Sequence, residues 1–240
     1  MNTALIFAGG TGIRMNAKAK PKQFLELHGK PVILYTIEHF EAHPEIDNIV
    51  VVCLKNWIKE LKHLLHRYEI EKVSQIIPGG NTGHESIYNG LKVMENVCKP
   101  EDIVLIHDGV RPLINGDLIS ANIAKVKECG NAITVSPVSE SIVSIKEESL
   151  GTIDFIPPRD EMYKAKAPQS FRYGFIWPLY QKAKSDSKLT IDSAHLCSIY
   201  GEKMYTVDSA PNNIKITTST DYYIFRALYE VMENQQILGV

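Results

Sequence analysis

The sequence lacks any apolar segment that approaches the roughly 18 residues a membrane-spanning helix needs. Its start, MNTALIFA, has neither the basic residues nor the long apolar stretch of a secretory signal. Cysteine is scarce: the 4 cysteines are widely spaced and form no CxxC pair, so a disulfide framework or a zinc site is not expected. We therefore expect a cytoplasmic protein with free thiols and no membrane partner.

An excess of charge of one sign is also missing. Lysine and arginine number 26, aspartate and glutamate 28, and the formal net charge is -2. No cluster of basic residues provides the electrostatic footprint of a nucleic-acid-binding protein. With 240 residues and 44% hydrophobic content, the chain can bury the core of a single domain over residues 1–240.

Apolar segments of strand length alternate with amphipathic helical segments. The predicted strands are Thr3–Phe7, Asn48–Leu54, Val73–Ile77, Ile103–His107, Ala132–Pro137 and Lys203–Val207. The predicted helices are Pro31–His43, Trp57–Tyr68, Ser86–Val97 and Leu118–Cys129. This alternation predicts an α/β fold, Rossmann-like, with a mostly parallel sheet and helices on both faces.

The alternation breaks at residues 139–159. Two short strands are predicted there, around Ile142–Lys146 and Thr152–Ile156, with Gly151 in the turn between them. Their apolar residues have no adjacent helix to cover them, and an isolated hairpin is only marginally stable in water. We interpret this segment as a projecting β-hairpin arm that makes the protein a homodimer. A hairpin that folds onto its own domain is the alternative.

The segment after the first strand is rich in glycine. In open parallel sheets, ligands bind beyond the carboxyl ends of the strands, and glycines let backbone N–H groups approach an anion closely. Arg14 and Lys22 follow and could pair with phosphates. Met15 stands at the third glycine position of the dinucleotide-binding pattern, and no P-loop pattern is present. The segment predicts a phosphate-binding loop, with a tight structural turn as the alternative.

Further polar segments also follow predicted strands or precede the last helix. They are PGGN (78–81), HDGVRP (107–112) and NNIKIT (212–217). Because the carboxyl ends of parallel strands share one edge of the sheet, we expect these segments to converge with the glycine-rich loop. His107 is expected to orient its loop, and Asp192 is expected to cap a helix start near the site.

Taken together, the order and spacing of the motifs resemble the polyol-phosphate cytidylyltransferases. That family comprises methylerythritol-4-phosphate enzymes of isoprenoid synthesis and ribitol-5-phosphate enzymes of teichoic acid and capsule synthesis. The motifs that carry the resemblance are AGGTGIRM (8–15), PKQF (21–24), the Gly-Gly pair with a downstream serine (79–86), HDGVRP (107–112), PPR (157–159), APQSF (167–171) and NIKIT (213–217).

The resemblance implies a CTP-dependent nucleotidyltransferase, in which a polyol phosphate oxygen attacks the α-phosphate of CTP and pyrophosphate leaves. Such a transfer relies on positioning and on neutralising charge. The implied catalytic cations are Arg14, Lys22 and Lys215. The implied nucleotide-binding residues are Ala8, Gly9, Gly10, Gly12, Gly80, Asn81, Ser86 and Asp108. The implied polyol phosphate-binding residues are Arg111, Ser141 and Arg159. A Mg²⁺ ion, bound mainly through the phosphates of CTP with Asp108 nearby, is also implied.

Several positions bear on the choice of acceptor. The loop AGGTG replaces the Ala-Ala-Gly typical of the isoprenoid branch, and HDGVRP is closer to the ribitol branch. Ser141 stands where the isoprenoid enzymes usually have threonine, and Ala167 stands where both branches commonly have it. We expect the acceptor to be D-ribitol 5-phosphate, which gives CDP-ribitol, with 2-C-methyl-D-erythritol 4-phosphate as the alternative. A nucleotide-binding regulator and a sugar-1-phosphate nucleotidyltransferase that uses UTP or GTP remain rivals.

Overall fold

The computed structural model describes residues 1–9, 20–146 and 151–238. Its strands are β1 (Asn2–Ala8), β2 (Glu26–Leu27), β3 (Lys30–Pro31), β4 (Asn48–Cys53), β5 (Val73–Pro78), β6 (Ile103–Asp108), β7 (Asn131–Pro137), β8 (Ser144–Ile145), β9 (Ile153–Phe155), β10 (Tyr163–Arg172) and β11 (Thr206–Asp208). Its α-helices are α1 (Val32–Glu41), α2 (Ile58–Arg67), α3 (Gly83–Val93), α4 (Gly116–Cys129), α5 (Tyr173–Ser185), α6 (Ser193–Ile199) and α7 (Ser219–Leu238). Within these ranges no helix combines the length and the apolar character that crossing a bilayer requires.

The central sheet has 7 strands in the order β11–β7–β10–β6–β1–β4–β5. β1 pairs in parallel with β4 and β6, β4 pairs in parallel with β5, and β7 pairs in parallel with β11. β10 lies between β6 and β7 and runs antiparallel to both. The predicted mostly parallel α/β sheet is therefore confirmed.

Helices cover both faces of this sheet, as the side chains along β1 illustrate. Ala4 and Ile6 belong to a core that includes residues of α1, α2 and α4. Leu5 belongs to a second core that includes residues of α3, α5 and α6. Strands buried on both faces are typical of parallel sheets covered by helices. The parallel strands β1, β4, β5 and β6 end at the same edge, which is the rim where ligands bind in such folds.

Some element boundaries differ from the predictions. The Oγ1 of Thr82 accepts a hydrogen bond from the N–H of Glu85 at 3.1 Å and caps the helix, so α3 begins at Gly83 and the predicted start at Ser86 was wrong. The strand predicted over Lys203–Val207 is the shorter β11. β10 and α5 occupy regions where the sequence pattern predicted no element, whereas α6 follows the expected cap Asp192 and α7 is the last helix, which the sequence analysis expected after NNIKIT.

The arm at residues 139–159 contains β8 and β9, which form a separate antiparallel pair. Residues 147–150, where most of the turn is predicted, lie outside the described part of the chain. The apolar side chains of the arm are exposed, for example 54% for Ile145 and 57% for Phe155. The exposed apolar residues are Ile142, Val143, Ile145, Ile153, Phe155 and Ile156. A dimer that covers this surface stays a prediction.

Candidate active site

The glycine-rich loop after β1 and the glycine pair after β5 meet at the rim. A Cβ atom built on Gly9 would lie 3.3 Å from the Cα of Gly79 and 2.8 Å from the Oγ of Ser86. The two backbones therefore approach more closely than a side chain at position 9 would allow. Ser86 Oγ accepts a hydrogen bond from the Gly80 N–H at 3.1 Å and donates one to the Thr82 carbonyl at 2.9 Å. Ser86 thus holds this turn against the start of α3.

A cavity of about 420 Å³ opens beside this contact. Its walls combine backbone of the glycine turns with the segment after β4, and they comprise Gly9, Leu54, Lys55, Asn56, Trp57, Gly79 and Gly80. The neighbouring residue Asn81 is exposed, and its N–H donates to Glu85 Oε2 at 2.7 Å. Backbone groups and one aromatic ring at a strand edge form a surface suited to a nucleobase and its ribose.

The described part of the phosphate loop is fastened to the end of β1. Gln23 Nε2 donates a hydrogen bond to the carbonyl of Ala8 at 2.7 Å, and Gln23 is buried. Lys22 precedes it and starts a short 3-10 helix, Lys22–Phe24. The predicted loop residues Gly10, Gly12 and Arg14 lie outside the described residues. The anchoring role of Gln23 was not predicted, although it belongs to the PKQF motif.

A buried ionic cluster occupies the end of β6. Asp108 Oδ2 accepts hydrogen bonds from Arg111 Nη2 at 3.2 Å and Nε at 3.3 Å, and its Oδ1 pairs with Lys215 Nζ at 2.5 Å. Burial opposes ionisation of this carboxyl, yet the charges of Lys215 and Arg111 lower the pKa of Asp108 to about 2. Asp108 is therefore a carboxylate at neutral pH, and it holds both cations at the rim.

Hydrogen bonds hold the loop that carries Lys215 against the segment after β6. Arg111 Nη1 donates to the carbonyl of Asn213 at 2.7 Å, and the Ile216 N–H donates to the carbonyl of Val110 at 2.8 Å. Asn213 Nδ2 donates in turn to the carbonyl of Ala167 on β10 at 2.8 Å. The HDGVRP and NNIKIT segments therefore converge, as the position of both segments at the rim predicted.

A cavity of about 230 Å³ lies next to this cluster. Its lining combines apolar residues such as Phe7, Ile87 and Ile106 with charged and amide side chains, namely Asp108, Arg111, Lys166, Gln169, Asp192 and Lys215. Asp192 caps α6, since its Oδ1 accepts from the His195 N–H at 2.8 Å. Gln169 Oε1 accepts from the Ala194 N–H at 2.9 Å. A cavity with this many cations suits a phosphorylated ligand.

His107 supports the loop after β6 and does not line the cavity beside Asp108. Its ring is buried, and Nε2 donates to the carbonyl of Arg111 at 3.1 Å. Burial, followed by the charge of Arg111, lowers the pKa of His107 to about 3, so the ring is neutral. The contact agrees with the predicted role of His107 in orienting the HDGVRP segment.

Ser141 and Arg159, predicted to bind the polyol phosphate, lie apart from this cavity. Both are exposed and flank the arm, and neither lines the cavities of its own chain described above. Lys166 and Gln169 line the cavity but were not predicted as site residues. Gln169 lies in the APQSF motif and Lys166 directly precedes it, so the motif was the available signal.

Comparisons with known proteins agree with this geometry. The family model described as 2-C-methyl-D-erythritol 4-phosphate cytidylyltransferase matches residues 2–230. A ribitol-5-phosphate cytidylyltransferase of Vibrio parahaemolyticus is 47% identical over 240 residues, which cover 100% of both chains. A 2-C-methyl-D-erythritol 4-phosphate cytidylyltransferase of Clostridium botulinum is 36% identical, over 95% of this chain and 97% of the other.

A solved structure shows the same fold. The crystal structure of 4-diphosphocytidyl-2C-methyl-D-erythritol synthase from Anaerococcus prevotii superposes with a TM-score of 0.81. It is 27% identical and covers 95% of this chain and 96% of its own. The sequence motifs, the family model and the fold all lead to one assignment. The chain therefore belongs to the polyol-phosphate cytidylyltransferase family, which confirms the resemblance carried by its motifs.

Proposed function

We propose that this cytidylyltransferase transfers CMP from CTP to D-ribitol 5-phosphate, which forms CDP-ribitol and releases pyrophosphate. The choice of acceptor rests on the relatives: 47% identity over the full chain to a protein named for ribitol 5-phosphate, against 36% to one named for methylerythritol phosphate. The AGGTG and HDGVRP segments favour the same branch. 2-C-Methyl-D-erythritol 4-phosphate is the second candidate.

The observation that carries the chemistry is the ionic cluster of Asp108, Arg111 and Lys215 at the rim. The cavity beside the Gly9–Gly79 contact holds the cytidine part of CTP, and the cavity beside Asp108 holds the acceptor. A phosphate oxygen of the acceptor forms a bond to the α-phosphorus, the bond from that phosphorus to the bridging oxygen breaks, and pyrophosphate leaves with the electron pair.

The chain's cations stabilise the charge that develops in this step. Lys215 approaches the α-phosphate from the cluster side, where Asp108 holds its ammonium group. The family resemblance assigns Lys22 and Arg14 to the triphosphate of CTP. Preorganised cations of this kind lower the barrier because they need no reorganisation when charge moves onto the phosphoryl oxygens.

We propose that a Mg²⁺ ion binds mainly through the phosphates of CTP, with Asp108 as the nearby carboxylate. The Asp108 carboxylate is ionised, but each of its oxygens already contacts Lys215 or Arg111. In the described ranges, no group of three or more His, Cys, Asp or Glu side chains could hold an ion without the substrate. The remaining ligands would be phosphate oxygens and water, which Mg²⁺ commonly keeps. Such an ion would neutralise charge on the triphosphate.

We also propose that the arm covers its apolar surface against a second copy of the chain. Isologous contact between two arms would bury the exposed residues on both sides, among them Ile145 and Phe155. It would bring Ser141 and Arg159 to the neighbour's acceptor site, which explains why neither residue lines the cavities of its own chain. A cytoplasmic location remains a prediction, based on 4 cysteines without a CxxC pair.

Pyrophosphate release with different substrate pairs tests the function. The protein is incubated with each of the four nucleoside triphosphates and with ribitol 5-phosphate or methylerythritol 4-phosphate. We expect the fastest release with CTP and ribitol 5-phosphate. Faster turnover of methylerythritol phosphate would reverse the choice of acceptor, and activity with UTP or GTP and a sugar 1-phosphate would favour that rival. CTP binding without release for any acceptor would favour the regulator.

A further inference from the structure

Lys166 enters the acceptor cavity from an irregular part of β10. The register between β10 and β7 shifts between Ala165 and Gln169, so the strand departs from regular pairing where it reaches the rim. Lys166 lies inside this irregular stretch, is half-buried, and lines the same cavity as Arg111 and Lys215. Irregular stretches of this kind re-aim side chains that regular pairing would direct elsewhere.

The ammonium group of Lys166 is held in place by hydrogen bonds that use only two of its three N–H donors. Its Nζ donates to the carbonyls of Ala210 at 3.3 Å and Pro211 at 3.1 Å. An ammonium group has three N–H donors, so a third donor is left for a ligand in the cavity that Lys166 lines. Both carbonyls belong to the loop that carries Lys215, which keeps the two cations on one side of the cavity.

The charge of Lys166 lacks a counterion, unlike that of its neighbours. Arg111 and Lys215 both contact Asp108, and the other carboxylate that lines the cavity, Asp192, caps α6. Across the ranges the structure describes, no carboxylate oxygen forms an ion pair with Lys166 Nζ within 4.0 Å. Partial burial, followed by the charges of Arg111 and Lys164, lowers the pKa of Lys166 to about 8. A dianionic phosphate would supply the missing counterion.

We propose that Lys166 is a substrate-binding residue that holds the phosphate group of the acceptor. The inference rests on the proposed function, because it assigns one more residue to that acceptor site. Lys166 would contact only the phosphate dianion, which both candidate acceptors carry. The hydroxyl groups of the polyol would not contact it. Arg111 lines the same cavity but is already engaged by Asp108 and Asn213.

Two substitutions of Lys166 and one control distinguish the loss of its charge from a disturbance of the fold. Lys166→Met removes the charge with similar chain length, and Lys166→Arg keeps it. Lys62→Met is the matched control, since Lys62 is an exposed lysine on α2 that does not line this cavity. We expect Lys166→Met to raise the KM for ribitol 5-phosphate by about 10- to 100-fold, which is the range for one charged hydrogen bond. The KM for CTP should stay within about twofold, and Lys166→Arg and Lys62→Met should remain close to wild type.

The pH profile supplies a second measurement. The groups that face Lys166 are Arg111, Lys164, Asp108, Lys215 and Asp192, and of these Arg111 and Lys164 lower its pKa. The protonated amine binds phosphate, so kcat/KM for ribitol 5-phosphate in the wild type should fall as pH rises through about 8. The fall should move to higher pH in Lys166→Arg, because a guanidinium keeps its proton. A fall at the same pH in Lys166→Arg would overturn the proposal.

Calorimetry can measure the affinity of the protein for inorganic phosphate and for ribitol separately. This test does not depend on which polyol phosphate is the acceptor. We expect Lys166→Met to weaken phosphate binding about 10-fold or more and to leave ribitol binding unchanged. An unchanged affinity for phosphate, or a KM for CTP that rises as much as that for the acceptor, would overturn the role of Lys166. Wild-type enzyme that binds phosphate through Lys166 but makes no CDP-ribitol would refute the proposed function alone.

Discussion

Asp108→Asn is the substitution that tests most directly how the site is held together. The carboxylate contacts Arg111 through one oxygen and Lys215 through the other, and it is 5% exposed. An asparagine of the same shape keeps a carbonyl oxygen but removes the negative charge. The buried guanidinium of Arg111 would then lose its counterion, which is the costly change in a buried ion pair, and the partly exposed Lys215 would lose its partner as well.

The expected loss of stability follows from the pKa of Asp108. Its pKa falls from 3.8 to about 2, which corresponds to about 2 to 3 kcal/mol of the free energy of unfolding at pH 7. Because the folded pKa is the lower one, this stabilisation is present above pH 3.8 and is lost as the pH falls through 2. The gap between wild type and Asp108→Asn should therefore narrow by about 1 kcal/mol between pH 7 and pH 3.

Urea unfolding of both proteins at a series of pH values measures this gap. Comparing the two proteins cancels the titration of the other carboxylates, and Asp160→Asn, an exposed aspartate outside the cluster, serves as the matched control. A gap that stays constant between pH 7 and pH 3 would refute the reasoning, and so would a loss no greater than that of Asp160→Asn. Turnover should also fall, because Lys215 would lose the group that positions it.

Three further predictions concern the reaction. Lys22→Ala should lower kcat by about 100-fold or more, because one electrostatic stabiliser is removed. A kcat close to that of the wild type would exclude this role. The kcat/KM for CTP should exceed that for UTP strongly, because a pocket that accepts a hydrogen bond from the 4-amino group leaves UTP mismatched; similar values would contradict this. Mixed dimers of Lys22→Ala and Arg159→Ala subunits should recover about half the activity, since both defects then share one site. Verified mixed dimers that stay inactive, or a monomer at assay concentration, would rule out shared sites.

The sequence pattern predicted the parallel part of the sheet but not its antiparallel strand. β4 and β6 are continuous apolar runs between helical segments, so their neighbours in the chain suffice to reveal them. β10 contains Pro168 and the polar residues Lys164 and Lys166, and its pairing with β7 is irregular. Its place between β6 and β7 depends on strands distant in the chain, which no local pattern reveals.

The start of α3 is a second feature that the sequence pattern did not predict correctly. A serine, an asparagine and a threonine all stand close to its start, and each is a plausible first residue or cap. The structure selects Thr82, because Ser86 Oγ is engaged with the Gly80 N–H and the Thr82 carbonyl at the rim. Local hydrogen bonds within residues 80–86, which apolar periodicity does not show, thus set the boundary.

The sequence by itself determined which residue types reach the rim: glycines after β1 and β5, a carboxylate and an arginine after β6, and a lysine before α7. Only the tertiary structure decided which of them meet. Arg111 and Asn213 are 102 positions apart, yet one donates to the other, and Asp108 becomes the shared partner of two cations. The physical reason is that periodicity is a property of neighbours in the chain, whereas charge pairing and desolvation arise only when distant segments pack together.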